Sequence, residues 1–230
     1  MSALDAIIFD FDGVIANSER LHLLAFQQAL ADTAWTLSDE AYYARYLGFD
    51  DHGVFRQLAA DQQQPMPSGA IDTLVTAKGR HYDLLAAAGE MLFPGAADFI
   101  RRAAAAVPIA VASGAQTHEI DDVLGKAGLR AHFLAVVGAD QTPASKPAPD
   151  PYLEAFARLG RVTGRTLSPT RTVAIEDSRW GLESARAAGL RTVAVTTTYP
   201  AEALAGHAEL IVAGLHTLDL AALERLCSES

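Results

Sequence analysis

The sequence has little cysteine and no long run of basic side chains, and both shortages narrow what the protein can be. Its 230 residues contain one cysteine, Cys227, which excludes an intramolecular disulfide and a zinc site built from several cysteines. It carries 18 lysine and arginine residues against 28 acidic ones, a formal net charge of −10. A protein that binds nucleic acid needs a basic face, so we expect no such partner. A small anionic ligand remains compatible, because a metal ion or a local lysine can supply positive charge.

An apolar run long enough to cross a membrane is missing from the N-terminal region. The first apolar run, in MSALDAIIFDFDGV, is interrupted by Asp10 and Asp12, so we expect neither a signal peptide nor a spanning helix there. The hydrophobic fraction of 50% is nevertheless sufficient for a sizeable core. With the single cysteine, these features predict a cytoplasmic protein without a membrane partner. Its oligomeric state, monomer or small homo-oligomer, stays open.

Short apolar runs alternate with helical patterns through most of the chain. Such runs are typical of buried parallel strands, and the alternation predicts an α/β fold with a Rossmann-like parallel sheet. Strands are predicted at residues 5–9, 107–113, 133–139, 171–177 and 191–197. Helices are predicted at residues 95–106, 118–128, 149–160 and 178–189, and the last three end in a glycine suited to a helix C-terminus.

One interval, residues 17–88, breaks this alternation. It has no convincing strand run and shows the pattern of several amphipathic helices, with a turn between Gly48 and Gly53. We therefore predict an α-helical domain at 17–88, inserted into an α/β core made of residues 1–16 and 89–230. The helices of the insertion are predicted at 19–32, 38–47 and 54–64, with a long one after Pro67.

Polar residues follow the predicted strands at their carboxyl ends, where ligands bind in an open parallel sheet. These positions carry Asp10, Asp12, Ser113, Gly114, Lys146, Glu176 and Asp177. Acids at the end of a buried strand are costly unless a cation compensates them, and carboxylates are ligands that Mg²⁺ prefers. Ser113 and Gly114 suit a phosphate oxygen, through a hydroxyl and an open backbone. The sequence therefore favours a magnesium and phosphate site at this edge.

Each of these motifs also has an ordinary structural explanation when it is taken alone. The DFDG segment at residues 10–13 is compatible with a solvated turn, and Lys146 with a solvated charge. Ser113 and the Glu176-Asp177 pair are compatible with helix N-caps. Four motifs in this order, each at or after a strand end, are far more specific than any one of them.

Together the four motifs resemble those of the haloacid dehalogenase superfamily, in particular its β-phosphoglucomutase-like phosphatase group with a helical (C1-type) cap. The resemblance covers nearly the whole chain and makes residues 17–88 the cap. It implies that Asp10 is the nucleophile that forms an aspartyl-phosphate and that Asp12 acts first as acid and then as base. It also implies that Ser113, Gly114 and Lys146 bind the phosphoryl group. The implied Mg²⁺ ligands are Asp10, Asp12, Glu176 and Asp177. Asp12 separates the chain from the dehalogenases proper, which lack a second aspartate there.

The resemblance leaves a phosphatase and a phosphosugar mutase open. The mutase has a cap arginine for a second phosphate, whereas the matching stretch, residues 48–52, reads GFDDH and places an acid there, which repels phosphate. The leading hypothesis is therefore a Mg²⁺-dependent phosphatase of a small phosphorylated metabolite, a sugar phosphate. The alternative is a mutase of the β-phosphoglucomutase type. The candidate cap residues for substrate contact are His22, Phe49, Asp51, His52 and Lys78.

His22 and Lys78 fall at the family's intervals from the nucleophile, where the cap meets the core. Without those intervals, His22 is equally compatible with a position on the exposed face of an amphipathic helix, and Lys78 with a solvated charge. A third hypothesis is a phospho-acceptor signalling module, because receiver domains also use strand-end acids, Mg²⁺ and a lysine. The helical insertion after the first strand argues against it, since a receiver has no such insertion.

Overall fold

The computed structural model of the chain divides into two compact units. It describes residues 3–47, 49–67, 69–86 and 91–228. The core unit consists of Met1–Asn17 and Leu92–Ser230, and the helical unit consists of Ser18–Met91. Gly48, the start of a predicted turn, and residues 87–90, which contain the predicted domain boundary, lie outside the described residues. That the insertion covers the substrate as a cap stays a prediction.

In the core unit, the described residues form a parallel six-stranded sheet. The strands are β1 (Ala6–Phe9), β2 (Ile109–Ala112), β3 (Ala135–Val137), β4 (Thr172–Glu176), β5 (Arg191–Val195) and β6 (Leu210–Val212). Their order in the sheet is β3-β2-β1-β4-β5-β6. The first four strands are buried throughout. The sheet confirms the predicted α/β fold. The edge strand β6 was not predicted, because three half-exposed residues do not make a distinctive apolar run.

Helices join or follow these strands. They are α5 (Ala96–Ala106), α6 (Thr117–Lys126), α7 (Asp150–Thr163), α8 (Arg179–Ala187), α9 (Ala201–Leu204) and α10 (Leu220–Ser228). The prediction that α7 ends at Gly160 was wrong, since the helix continues to Thr163. Gly164 ends it instead, with φ 63°, a left-handed conformation that glycine adopts without a Cβ penalty.

The helical unit has no strand among its described residues. Its helices are α1 (Glu19–Leu30), α2 (Asp39–Ala41) followed by a π-helical segment (Tyr42–Tyr46), α3 (Asp51–Asp61) and α4 (Ala70–Ala86). The predicted turn up to Gly53 was wrong, because α3 begins at Asp51. The side chain of Asp50 accepts a hydrogen bond from the Gly53 backbone N–H at 2.6 Å, which caps the helix three residues earlier than expected.

Each unit has its own apolar core. In the helical unit, Leu23, Phe26, Phe55 and Leu58 form part of one buried cluster. In the core unit, small side chains of the sheet such as Ala110, Ala112 and Ala174 let helix α7, which carries Tyr152, pack closely on the sheet. None of the described helices is long and apolar enough to cross a membrane.

Candidate active site

The carboxyl ends of β1 and β4 place two acids side by side. The strands pair in parallel with Phe9 opposite Ile175, so the next residues, Asp10 and Glu176, both lie at this edge of the sheet. The backbone N–H of Asp10 donates to the Ile175 carbonyl at 2.9 Å. The strand register therefore places the backbones of these two acids next to each other, whatever conformations their side chains adopt.

Lys146 joins these two acids. Its Nζ donates to Oδ1 of Asp10 at 2.7 Å and to Oε1 of Glu176 at 2.6 Å. All three side chains are buried. The place of Lys146 after β3 led to the prediction that it reaches this edge of the sheet. The alternative, a solvated Lys146, was wrong. A buried lysine shared by two carboxylates gives a compact charge-assisted network.

Burial and charge shift the pKa values of this network. Burial, together with the charge of Glu176, raises the pKa of Asp10 well above its ordinary value, although Lys146 opposes the shift. Burial lowers the pKa of Lys146, but the charges of Asp10 and Glu176 outweigh it and raise that pKa overall. Lys146 therefore stays an ammonium. Its single positive charge is shared by the two carboxyl groups of Asp10 and Glu176 and cannot balance two negative charges.

Asp177 brings a third carboxylate to the site. Oxygens of Asp10, Glu176 and Asp177 lie within 4.8 Å of one another. Gly13, with φ 78°, makes room for Asp177, since a Cβ on Gly13 would lie 1.8 Å from Oδ2 of Asp177. The motif at residues 10–13 and the Glu176-Asp177 pair at the end of β4 are thus in direct contact.

Asp12 lies in the same loop as Gly13 and is also buried. Its backbone forms a bridge with Ala16, and its charge adds to the rise in the pKa of Asp10. The alternative of a solvated turn for residues 10–13 was wrong. The loop instead holds two acids inside the protein.

Glu176 is surrounded by hydrogen-bond donors. Besides Lys146, its Oε1 accepts from the Tyr152 hydroxyl at 2.9 Å. Its Oε2 accepts from the backbone N–H of Asp177 at 3.1 Å and from the backbone N–H and hydroxyl of Ser178 at 3.3 and 3.1 Å. Gly181 is also required, because a Cβ there would lie 1.8 Å from Oε1.

Tyr152, Ser178 and Gly181 were not among the predicted site residues. Tyr152 lies in α7, six residues after Lys146, and an aromatic residue in an amphipathic helix is ordinarily part of the core. Ser178 caps α8 by accepting from the Gly181 N–H at 3.1 Å, so the alternative that the Glu176-Asp177 pair is the N-cap was wrong. A glycine inside a helix was the available signal for close approach at Gly181.

Ser113 and Gly114 follow β2, next to β1 in the sheet. Ser113 is buried, and its hydroxyl accepts from the Ala115 N–H at 3.1 Å. The alternative that Ser113 caps the next helix was wrong, because Gln116 is the N-cap of α6. A Cβ built on Gly114 would meet no described atom within 4 Å, so its backbone is open to a ligand.

Three of the predicted cap residues come together inside the helical unit. Lys78 is fully buried, and its Nζ lies 2.9 Å from Oδ1 of Asp51 and 2.8 Å from Nδ1 of His22. Since an ammonium group can only donate, Nδ1 of His22 accepts. The His22 ring stacks on Tyr82 at a centroid distance of 4.2 Å. Both alternatives, an exposed His22 and a solvated Lys78, were wrong.

The other two predicted cap residues do not join this cluster. The His52 side chain is 44% exposed and lies 3.2 Å from Oδ1 of Asp72. Phe49 is exposed as well. Within the described helical unit, the cluster around the buried Lys78 is therefore formed by α1, α3 and α4, and only Asp51 of the GFDDH stretch takes part in it.

Comparison with known proteins independently supports the resemblance to the haloacid dehalogenase superfamily. The model of the family described as haloacid dehalogenase-like hydrolase matches residues 7–195. Protein CbbY of Cupriavidus necator is 36% identical over 212 residues, which are 86% of this chain and 81% of that protein. Fructose-1-phosphate phosphatase YqaB of Escherichia coli is 26% identical over 82% of this chain and 95% of that protein.

A solved structure extends the similarity to three dimensions. The crystal structure of CbbY from Rhodobacter sphaeroides in complex with xylulose 1,5-bisphosphate matches with a TM-score of 0.84 at 29% identity, over 96% of this chain and 99% of that one. The similarity therefore includes the helical insertion as well as the sheet.

Proposed function

Because the chain belongs to the haloacid dehalogenase-like hydrolases, we propose that it is a Mg²⁺-dependent phosphatase that hydrolyses a sugar phosphate through an aspartyl-phosphate on Asp10. A phosphatase of small phosphorylated metabolites is the activity that the family and its named phosphatase relatives support. The observation that carries the fuller proposal is the buried network in which Lys146 contacts both Asp10 and Glu176 beside Asp177.

Asp10 and Asp12 divide the chemistry between them. A carboxylate oxygen of Asp10 forms a bond to phosphorus while the bond to the leaving oxygen breaks, and Asp12 gives its proton to that oxygen. Asp12 then takes a proton from water, whose oxygen attacks the same phosphorus. The bond to Asp10 breaks, which frees inorganic phosphate and restores the nucleophile. Both acids lie in one short loop, which suits successive action of Asp10 on phosphorus and of Asp12 on the oxygens that leave and attack it.

The charge of the site fits a divalent cation. Four buried acids, Asp10, Asp12, Glu176 and Asp177, share this edge of the sheet with the buried ammonium of Lys146. Such a surplus of buried negative charge is unfavourable unless a cation compensates it. We propose that Asp10, Asp177 and the main-chain oxygen of Asp12 hold Mg²⁺. When bound, the ion neutralises the charge of nucleophile and phosphate.

Lys146, Ser113 and Gly114 bind the phosphoryl group in this proposal. An ammonium has three N–H donors, and Lys146 uses two of them on Asp10 and Glu176, so one is left for a phosphoryl oxygen. The hydroxyl of Ser113 and the open backbone at Gly114 provide further donors. Donors fixed before the reaction stabilise the charge that develops at phosphorus.

The helical unit favours release of phosphate over its retention. Asp51 neutralises Lys78 within this unit, so Lys78 does not offer uncompensated positive charge to a second phosphate. A mutase must retain a bisphosphate intermediate, whereas a phosphatase needs no such anchor. We propose that His22, Asp51 and Lys78 help to select the substrate, with Phe49 and His52 as further candidates.

A panel of phosphate esters tests the proposal. We expect p-nitrophenyl phosphate and at least one sugar phosphate to release inorganic phosphate over many turnovers with Mg²⁺ present. Excess chelator should abolish this release, and added Mg²⁺ should restore it. Conversion of β-glucose 1-phosphate to glucose 6-phosphate without free phosphate would instead identify the mutase. Full turnover in excess chelator would contradict the metal site.

A further inference from the structure

We infer that Tyr152 is a positioning residue, which acts through Glu176 to hold Lys146 against Asp10, and that Glu176 serves this purpose and is not a direct metal ligand. The kinetic part of this inference rests on the proposed phosphatase function. The structural part rests on the hydrogen bonds around Glu176 alone. It revises the sequence-based expectation that all four acids bind Mg²⁺.

The carboxylate of Glu176 has no acceptor capacity left for a metal. A carboxylate offers about four lone-pair sites. Among the described residues, Oε1 accepts from Lys146 and Tyr152, and Oε2 accepts from the backbone of Asp177 and from Ser178 twice. A cation that approached Glu176 directly would have to displace one of these donors. The side chain is 0% exposed, so a displaced donor would be left without water.

Glu176 is also held in place mechanically. Gly181 lies against Oε1 so closely that a Cβ there would be only 1.8 Å away. The backbone N–H groups that bind Oε2 belong to the turn into α8, which the side chain of Ser178 caps. The carboxylate therefore has one orientation, in which Oε1 faces Lys146 and Tyr152.

Tyr152 determines how strongly Glu176 attracts Lys146. The tyrosine is fully buried, its hydroxyl donates to the same Oε1 that binds Lys146, and its ring centroid lies 5.2 Å from Nζ. Without the hydroxyl, Oε1 keeps more negative charge and draws the ammonium away from Asp10. The phosphoryl group would then meet a displaced lysine, so the chemical step should suffer more than substrate binding.

Tyr152→Phe tests the positioning role, because it removes only the hydroxyl and keeps the packed ring. With p-nitrophenyl phosphate we expect kcat to fall about 10- to 100-fold, while KM changes less than about threefold. Circular dichroism should show that the variant is folded at the assay temperature. A purely structural role would lower kcat only in proportion to the folded fraction. Tyr43→Phe, in the helical unit, is the matched control and should leave kcat unchanged.

Binding of Mn²⁺, followed by the electron paramagnetic resonance signal of the free ion, tests the metal part without any turnover. We expect Tyr152→Phe to change the Kd for Mn²⁺ less than about threefold. Asp177→Asn should raise this Kd by a factor at least about ten times larger than the factor for Glu176→Gln. Equal losses in Glu176→Gln and Asp177→Asn would show that Glu176 is a ligand and overturn the inference. A normal kcat in Tyr152→Phe would overturn the positioning role. If the wild-type protein hydrolyses no ester, the phosphatase proposal fails, and the Mn²⁺ titration still decides the role of Glu176.

Discussion

Asp10→Asn is expected to lower phosphate release by at least about 10⁴-fold, because an amide oxygen cannot form the covalent intermediate and no neighbouring group replaces it. The substitution is nearly isosteric and removes a buried acid whose pKa is raised by burial and by Glu176. The fold should therefore survive, with an unfolding midpoint at or above that of the wild type. Initial rates with p-nitrophenyl phosphate and thermal unfolding measure the two effects.

Asp98→Asn is the matched control for this substitution. Its side chain is 76% exposed and pairs only with Arg101 among the interactions described for it. An exposed ion pair of this kind contributes little to stability, so activity and midpoint should stay near wild-type values. A residual rate in Asp10→Asn within about tenfold of the wild type would rule out Asp10 as the nucleophile.

Lys146→Met should damage both stability and activity. The change keeps the length of the side chain but leaves Asp10 and Glu176 buried without their cation. Removal of one partner from a buried charge network is expected to lower the free energy of unfolding by about 3 kcal/mol in metal-free buffer. It also removes a donor to the phosphoryl group, so kcat should fall about 10²- to 10³-fold.

Urea unfolding in the presence of chelator, together with kcat under saturating Mg²⁺, separates these two consequences. Lys126→Met, at an exposed position of α6, provides the control and should change neither. A loss below about 1 kcal/mol in Lys146→Met would mean that the lysine does not compensate the two carboxylates.

The part of the site that lies on strand ends could be predicted from the sequence. Parallel strands deliver the residues after Phe9 and Ile175 to one edge whatever the side chains are, so Asp10 and Glu176 had to meet. The same reasoning placed Lys146 and Ser113 nearby. Pattern alone was sufficient for Asp10, Ser113 and Glu176 because the register of the sheet, and not the packing of side chains, determines their positions. Lys146 lies in the loop well beyond the end of β3, so the sequence predicted its neighbourhood and not its contacts.

Contacts made by helices could not be predicted in the same way. Tyr152 faces Glu176 because of the orientation of α7 about its own axis on the sheet. That orientation depends on the small core side chains that pack beneath the helix. Lys78 is buried because Asp51 and His22 approach it from two other helices. A single lysine in an amphipathic pattern reads as an exposed charge, and only the tertiary structure supplies its partners.

The central claim, an aspartyl-phosphate on Asp10, can be tested by trapping it in Asp12→Asn. A substrate with a good leaving group, ³²P-labelled p-nitrophenyl phosphate, needs no acid for the first step, whereas the second step needs Asp12 to activate water. Acid quenching should therefore show one labelled phosphate for each protein chain, on the peptide that contains Asp10, and no label in Asp10→Asn carrying the same Asp12 substitution. Label on any other residue, or full release of p-nitrophenol by Asp12→Asn with no labelled protein at any time, would contradict the account.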